Sequence, residues 1–208
     1  MSREPVSLGE VLLECRAMIE PQAHKRGIAM AFPQFDLPTY VNADRTRIKQ
    51  VLINLLSNAI KYNRAGGQAM IEAMALQGRV LIIVSDTGQG MSAEQIAHLF
   101  EPFNRLGAER TSIEGTGIGL VIVKRLLDLM DGRVEVSSNA GEGSSFRVWL
   151  PMAPRPALQQ EPSERGARAV FSGFEDINVY NRTVLYAEDN MINVELLRQV
   201  MRMRPLIT

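Results

Sequence analysis

Asn54, Asn58, Lys61 and Tyr62 lie at spacings of four, three and one in Asn54-Leu55-Leu56-Ser57-Asn58-Ala59-Ile60-Lys61-Tyr62. On a helix that spacing sets most of them along one face, with Val51, Leu52, Leu55, Leu56 and Ile60 opposite. An amide oxygen ligates Mg²⁺ without adding negative charge beside a triphosphate, while an ammonium and a phenol contact phosphate oxygens. A solvated polar face would have the same composition. Further on, Asp86-Thr87-Gly88-Gln89-Gly90 puts a carboxylate beside a glycine turn. A carboxylate there accepts a hydrogen bond from an adenine amino group, and glycines let the backbone approach the ring. An ordinary turn reads alike. Gly115-Thr116-Gly117-Ile118-Gly119-Leu120 precedes a helical pattern whose free amides suit phosphates. A tight loop is the alternative, and the ending Gly-Lys-Ser/Thr of a P-loop is absent. In this order, the three segments together point to a nucleotide.

The elements that must position these residues follow from periodicity. Leu8, Val11, Leu12, Cys15, Met18 and Ile19 predict a helix over about 7–26, ended near Gly27, then a strand from Ile28 to Phe32. Tyr40-Val41 offers a short strand, and Asp44 caps a helix from Arg45 to Tyr62. Residues 68–76 and 79–86 read as a hairpin around Gln77-Gly78, its second strand apolar on both faces and so central. A short helix, Ala93 to Phe100, precedes an aperiodic stretch, Glu101 to Thr116, with the composition of a loop or lid. A helix from Ile118 to Met130 and strands Arg133 to Ser138 and Ser145 to Leu150 close the domain.

Bulk properties narrow the class. The 208 residues suit one main core plus an attachment. Lys plus Arg, 23, balances Asp plus Glu, 23, so no overall field draws nucleic acid or an anionic membrane. The single cysteine, Cys15, excludes an intramolecular disulfide and falls in an apolar helical pattern, so it reads as core. With no apolar run of membrane-spanning length and no signal peptide at the start, a cytoplasmic location without direct membrane insertion is expected.

Order and spacing together resemble the catalytic and ATP-binding domain of sensor histidine kinases, in the ATPase superfamily that includes gyrase, heat-shock chaperones and mismatch-repair proteins. Asn54 to Tyr62 resembles that family's N box, Asp86 to Gly90 its G1 box, Phe100-Glu101-Pro102-Phe103 its F box and Gly115 to Leu120 its G2 box. Gly141-Glu142-Gly143-Ser144-Ser145-Phe146 with Leu150-Pro151 matches its closing hairpin, and the likeness covers residues 6–152. The resemblance implies ATP and Mg²⁺ as cofactors. It implies that Asn58 ligates the metal, Asn54 supports metal and phosphates, Lys61 and Tyr62 contact phosphates, and Asp86 reads adenine. Gly88 and Gly90 would shape the base pocket, with Ser144 holding a bridging water. Phe100 and Phe103 would anchor the lid, and Gly115 to Gly119 would form its phosphate-contacting hinge. Met91, Phe103, Thr116, Ile118 and Leu120 join the implied nucleotide-binding set. Arg105 matches an arginine placed to stabilise the γ-phosphate, so Asn54, Lys61 and Arg105 are the catalytic candidates. Hydrolases of the superfamily carry a glutamate where Asn54 stands. An amide takes no proton from water, which favours phosphoryl transfer over hydrolysis.

The nucleophile is missing from this reading. The histidines, His24 and His98, lack the His-Glu or His-Asp context of the family's phosphoacceptor, and read as surface or capping residues. The partner implied is a histidine-containing dimerisation domain of the same or another kinase. After a linker, 153–182, the run Val184-Leu185-Tyr186-Ala187-Glu188-Asp189-Asn190 resembles the first strand of a response-regulator receiver, making 183–208 an incomplete receiver-like β-α segment. A downstream receiver domain is therefore a second expected partner. The fold expected for 1–152 is a two-layer α/β sandwich, a mixed and largely antiparallel sheet covered on one face by three helices. Two rivals stay open: a nucleotide-binding or degenerate signalling module that acts by contact, and an ATP hydrolase of the chaperone or topoisomerase type. Steady hydrolysis by the isolated chain would favour the second.

Overall fold

Two polar residues start the long helices. Ser7 Oγ accepts the Glu10 N–H at 3.4 Å at the head of α1 (Leu8–Lys25), and Asp44 Oδ1 accepts the Arg47 N–H at 3.1 Å at the head of α2 (Arg45–Lys61). Each satisfies an amide that the helix leaves free. The computed structural model describes residues 2–33, 39–104 and 116–156. Within them lie seven strands: β1 (Glu4–Ser7), β2 (Ala29–Ala31), β3 (Tyr40–Ala43), β4 (Gln68–Leu76), β5 (Arg79–Asp86), β6 (Arg133–Asn139) and β7 (Gly143–Ala153). Two further helices are α3 (Ala93–Ala97) and α4 (Gly119–Leu129).

The strands form one sheet in the order β1-β3-β7-β5-β4-β2, with β6 pairing along β7. Only β2 with β4 is parallel, so the sheet is mixed and largely antiparallel, with the helices on one face as expected. Strand β5 is central, between β4 and β7. Its Val80, Ile82 and Val84 are 1 % exposed or less, and Leu81 on the other face is 7 % exposed, which explains a run apolar on both sides. Helix α2 packs between α1 and α4 and lies on β5, so its apolar face joins the main core. Cys15 belongs to that core too. Burial pushes its thiol up to about 12, which fits packing and not reactivity.

Three differences from expectation have a clear physical cause. Strand β1 went unread because only Val6 of its four residues is buried, leaving no alternation. It exists through pairing with β3, Val6 opposite Val41. Helix α3 ends at Ala97, not Phe100, because the chain turns at His98, whose N–H bonds back to Gln95 and Ile96 carbonyls. Strand β7 runs past Leu150 to Ala153, since Met152 and Ala153 pair with Val41 and Tyr40, more than 100 residues away in sequence. The expected linker, apart from its first residues, and the receiver-like segment 183–208 lie outside the described residues.

Candidate nucleotide site

One end of the candidate site is built on α2. Val51, Leu52, Leu55, Leu56 and Ile60 are 2 % exposed or less. Their burial fixes the helix rotation and leaves Asn54, Asn58 and Lys61 half-buried on the other side. Tyr62 ends the helix, its N–H donating to the Asn58 carbonyl at 3.0 Å. The glycine segment arrives beside them: a Cβ on Gly119 would lie 3.2 Å from Asn54 Oδ1. Gly119 opens α4, where Ile118 supplies no side-chain cap and the first turn carries no acidic residue. Among the described residues no side chain caps the first amides of α4, which start next to the Asn54 amide. Leu120 packs against the core and steadies this helix start, whereas Thr116 is exposed.

The other end is built on β5, β6 and β7. Asp86 is the last residue of β5, in register with Ser144 of β7, which in turn faces Ser138 of β6. Asp86 Oδ1 accepts the Gly88 N–H at 2.8 Å. Burial raises the Asp86 carboxyl above its ordinary value, and the Gly88 and Ser144 backbone amides pull it back in part. The turn is pressed between two neighbours. A Cβ on Gly88 would fall 2.3 Å from the Tyr62 carbonyl oxygen, and one on Gly90 1.8 Å from that of Asn139. Only residues without a Cβ bring this turn against the end of α2 and the β6–β7 turn at once.

Ser138 is a member of the site that sequence reasoning missed. Its Oγ accepts the Met91 N–H at 2.8 Å, donates to the Gly143 carbonyl at 2.7 Å and lies 3.1 Å from Ser144 Oγ. It thereby holds Met91, half-buried against the core, beside Ser144. Within Arg133 to Asn139 nothing sets Ser138 apart; only its register with Ser144 does.

The F box divides. Phe100 packs against the core with Lys124 Nζ 5.5 Å from its ring centroid. Phe103 is 73 % exposed with φ +63, so of the two F-box rings that of Phe100 is the one packed against the core. His98 follows α3 as its C-cap, exposed, with Nδ1 2.8 Å from Glu101 Oε1; that bond raises the imidazole and lowers the carboxyl. His24 is exposed in the last turn of α1. Both have the surface or capping character expected of them. Arg105 and Gly115 lie outside the described residues.

The amide face of α2 thus meets the start of α4, with the half-buried carboxylate of Asp86 at the end of β5. Residues 43–154 match the family of histidine kinase-, DNA gyrase B-, and HSP90-like ATPases. The chain belongs to that family. An uncharacterized sensor-like histidine kinase of Rhizobium meliloti (strain 1021) is 36% identical over 160 residues, 76% of this chain and 30% of that protein. The nucleotide-free catalytic domain of histidine kinase ThkA has TM-score 0.64 and 30% identity, over 73% of this chain and 96% of that domain. Full-length ShkA in complex with AMPPNP gives TM-score 0.66 and 33% identity, over 76% of this chain and 32% of ShkA. The chain spans less than a third of the length of the curated relatives it matches.

An ATPase domain implies ATP binding, and a role for Asp86 in it has a test in pH. As an acceptor for an adenine amino group Asp86 would be stronger ionised than protonated, and burial makes its ionisation harder. ATP affinity is expected to fall on acidification at a pH above the ordinary carboxylate range of about 4, a step absent from Asp86→Asn. Fold stability should not fall with it. A carboxyl raised in the folded state binds its proton more tightly there, so its contribution is present below the unfolded value and lost as pH rises through the folded one. Titrating ATP from pH 7 downward while following the unfolding midpoint separates the two.

Proposed function

We propose that this domain binds ATP with Mg²⁺ and passes the γ-phosphoryl group to a histidine on a separate dimerisation domain, in a two-component signalling protein. The observation that carries this reading is Asn54 set against Gly119, the first residue of α4. The amide face of α2 and the helix amides meet where a triphosphate would lie. The donor set also fits Mg²⁺. Asn58 offers a neutral oxygen, so the anionic phosphates can complete the coordination without a carboxylate repelling them. Bound Mg²⁺ would neutralise charge on the phosphate oxygens. Lys61 and Tyr62 would hold those oxygens from the end of α2, and Arg105 would come to them from the lid.

Transfer breaks the bond between the γ-phosphorus and its bridging oxygen and forms one to an imidazole nitrogen; ADP leaves and the imidazole gives up its N–H proton. Positioning and charge do most of this work. Asn54 contributes no base to activate water, which favours the histidine as acceptor. The relatives named as histidine kinases support that choice, and ThkA in complex with the response regulator TrrA supports a receiver domain as the next partner. Residues 183–208, with their likeness to a receiver start, would then belong to a hybrid kinase working in the cytoplasm. None of the helices among the described residues is long and apolar enough to cross a membrane.

Mixing the chain and labelled ATP-Mg²⁺ with dimerisation domains of related kinases should yield an acid-labile phosphohistidine on one of them. Saturable ATP binding without transfer to any would leave the nucleotide-binding signalling module as the better reading. Loss of saturable binding altogether would sink the site itself.

A further inference from the structure

Just past α2, Asn63 is a point where three segments close. Its Nδ2 donates to the Ala59 carbonyl in the last turn of α2 and to the Gln68 carbonyl at the start of β4, each at 2.9 Å. Its Oδ1 accepts the Arg64 N–H at 3.0 Å and lies 3.4 Å from Thr87 Oγ1. Thr87 closes the same junction from the adenine side: its N–H donates to the Gln68 carbonyl at 3.0 Å and its Oγ1 accepts the Gln68 N–H at 2.9 Å. Beside this junction the Gln89 N–H donates to the Tyr62 carbonyl at 3.1 Å, and a Cβ on Gly88 would come within 3.0 Å of Asn63 Cα.

We propose that Asn63, with Thr87, is a positioning residue that clasps the phosphate-contacting end of α2 to the adenine turn Asp86 to Gly90, so that base and triphosphate are bound as one ligand. The proposal rests on the nucleotide reading above. Asn63 touches neither the base nor the phosphates in that reading. It acts through Lys61 and Tyr62, which immediately precede it, and through Thr87, which follows Asp86. The amide is suited to the place because both of its functions are used. Two N–H donors meet two carbonyl oxygens while the amide oxygen faces an N–H and a hydroxyl. An isosteric aspartate would turn a carboxylate toward the two carbonyls and lose both donations. A ligand that touches only one end of the cleft has little need of the clasp. One that spans both ends needs the two halves in register, because displacement of about 1 Å is costly to oriented binding.

The test compares ATP-Mg²⁺ with adenosine, measured by calorimetry and by competition, on wild type, Asn63→Ala, Asn63→Asp and Thr87→Val, at a temperature where circular dichroism shows each folded. The Asn63 variants should weaken ATP binding about tenfold or more and adenosine binding less than about threefold. Asn63→Asp should resemble Asn63→Ala, and Thr87→Val should shift the ATP-to-adenosine ratio in the same direction. A purely structural role would weaken both ligands equally through the unfolded fraction, and that result overturns the clasp. So would unchanged ATP affinity, or an aspartate variant that binds like wild type. If the Asn63 variants do not fold, Thr87→Val, which keeps the Asn63 bonds to Ala59 and Gln68, decides by the same ratio. A wild type that binds neither ligand defeats the nucleotide site and the clasp with it.

Discussion

Replacing Asn58 by alanine is expected to slow phosphoryl transfer about 10²- to 10³-fold while leaving adenosine affinity nearly unchanged, the scale seen when a metal-site or charge-stabilising group is removed. The side chain is half-buried on the polar face of α2, whereas the neighbouring Leu55, Leu56 and Ile60 carry the packing. Alanine is the best helix former and leaves the Asn58 carbonyl in place to accept the Tyr62 N–H. The helix end therefore survives, and stability should hold or rise slightly. In the proposed site, what disappears is one neutral oxygen for Mg²⁺, whereas Asp86 at the end of β5 is untouched. The loss should show as a higher Mg²⁺ requirement and a lower transfer rate, with base recognition intact. Titrating Mg²⁺ at fixed ATP reads the first, and phosphohistidine formation reads the second. An unaltered Mg²⁺ requirement would remove Asn58 from the metal site.

Legibility followed the range of the interactions. Strands β4 and β5 lie where periodicity placed them, at 68–76 and 79–86, because a tight turn at Gln77-Gly78 and side-chain alternation are both local. The face of α2 that carries Asn54 and Asn58 was likewise readable, since one stripe of leucine, isoleucine and valine fixes the helix rotation. What escaped is relational. Strand β1 and the last residues of β7 exist by pairing with β3, and β3 separates from β7 by most of the domain. Ser138 looks like any strand serine until its register with Ser144 is known. Asn63 reads as a helix stop, and does stop the helix, but its two donations reach Ala59 on one side and Gln68 on the other. The exposure of Phe103, with φ +63, was equally illegible, since its motif does not show which ring packs inward.

A large loss of stability is expected from Gly143→Ala. Gly143 opens β7 with φ +110, and a Cβ there would lie 2.0 Å from the Asp86 carbonyl oxygen and 3.0 Å from Thr87 Cα. Both are backbone atoms of the adenine turn, so no side-chain rotation relieves the clash. Either β7 moves away from β5 at the Asp86–Ser144 pair, or the turn does. The cost should be about 3–5 kcal/mol, from strain in an unfavourable backbone region plus a forced separation of paired strands. Against a total of about 5–15 kcal/mol for an ordinary domain, that removes much of the margin. Gly141→Ala is the matched control. Its φ is +86, and nothing lies within 4 Å of the added carbon, so it should cost only the about 1–2 kcal/mol of a left-handed non-glycine residue. Urea unfolding of the two variants, with and without ATP, distinguishes strain from collision. Gly143→Ala should unfold at much lower urea and gain little from ATP, because Asp86 and Ser144 are displaced even in molecules that remain folded. Gly141→Ala should keep the stabilisation by ATP. Equal losses in the two variants would mean that the close approach of β7 to the adenine turn contributes nothing beyond backbone strain.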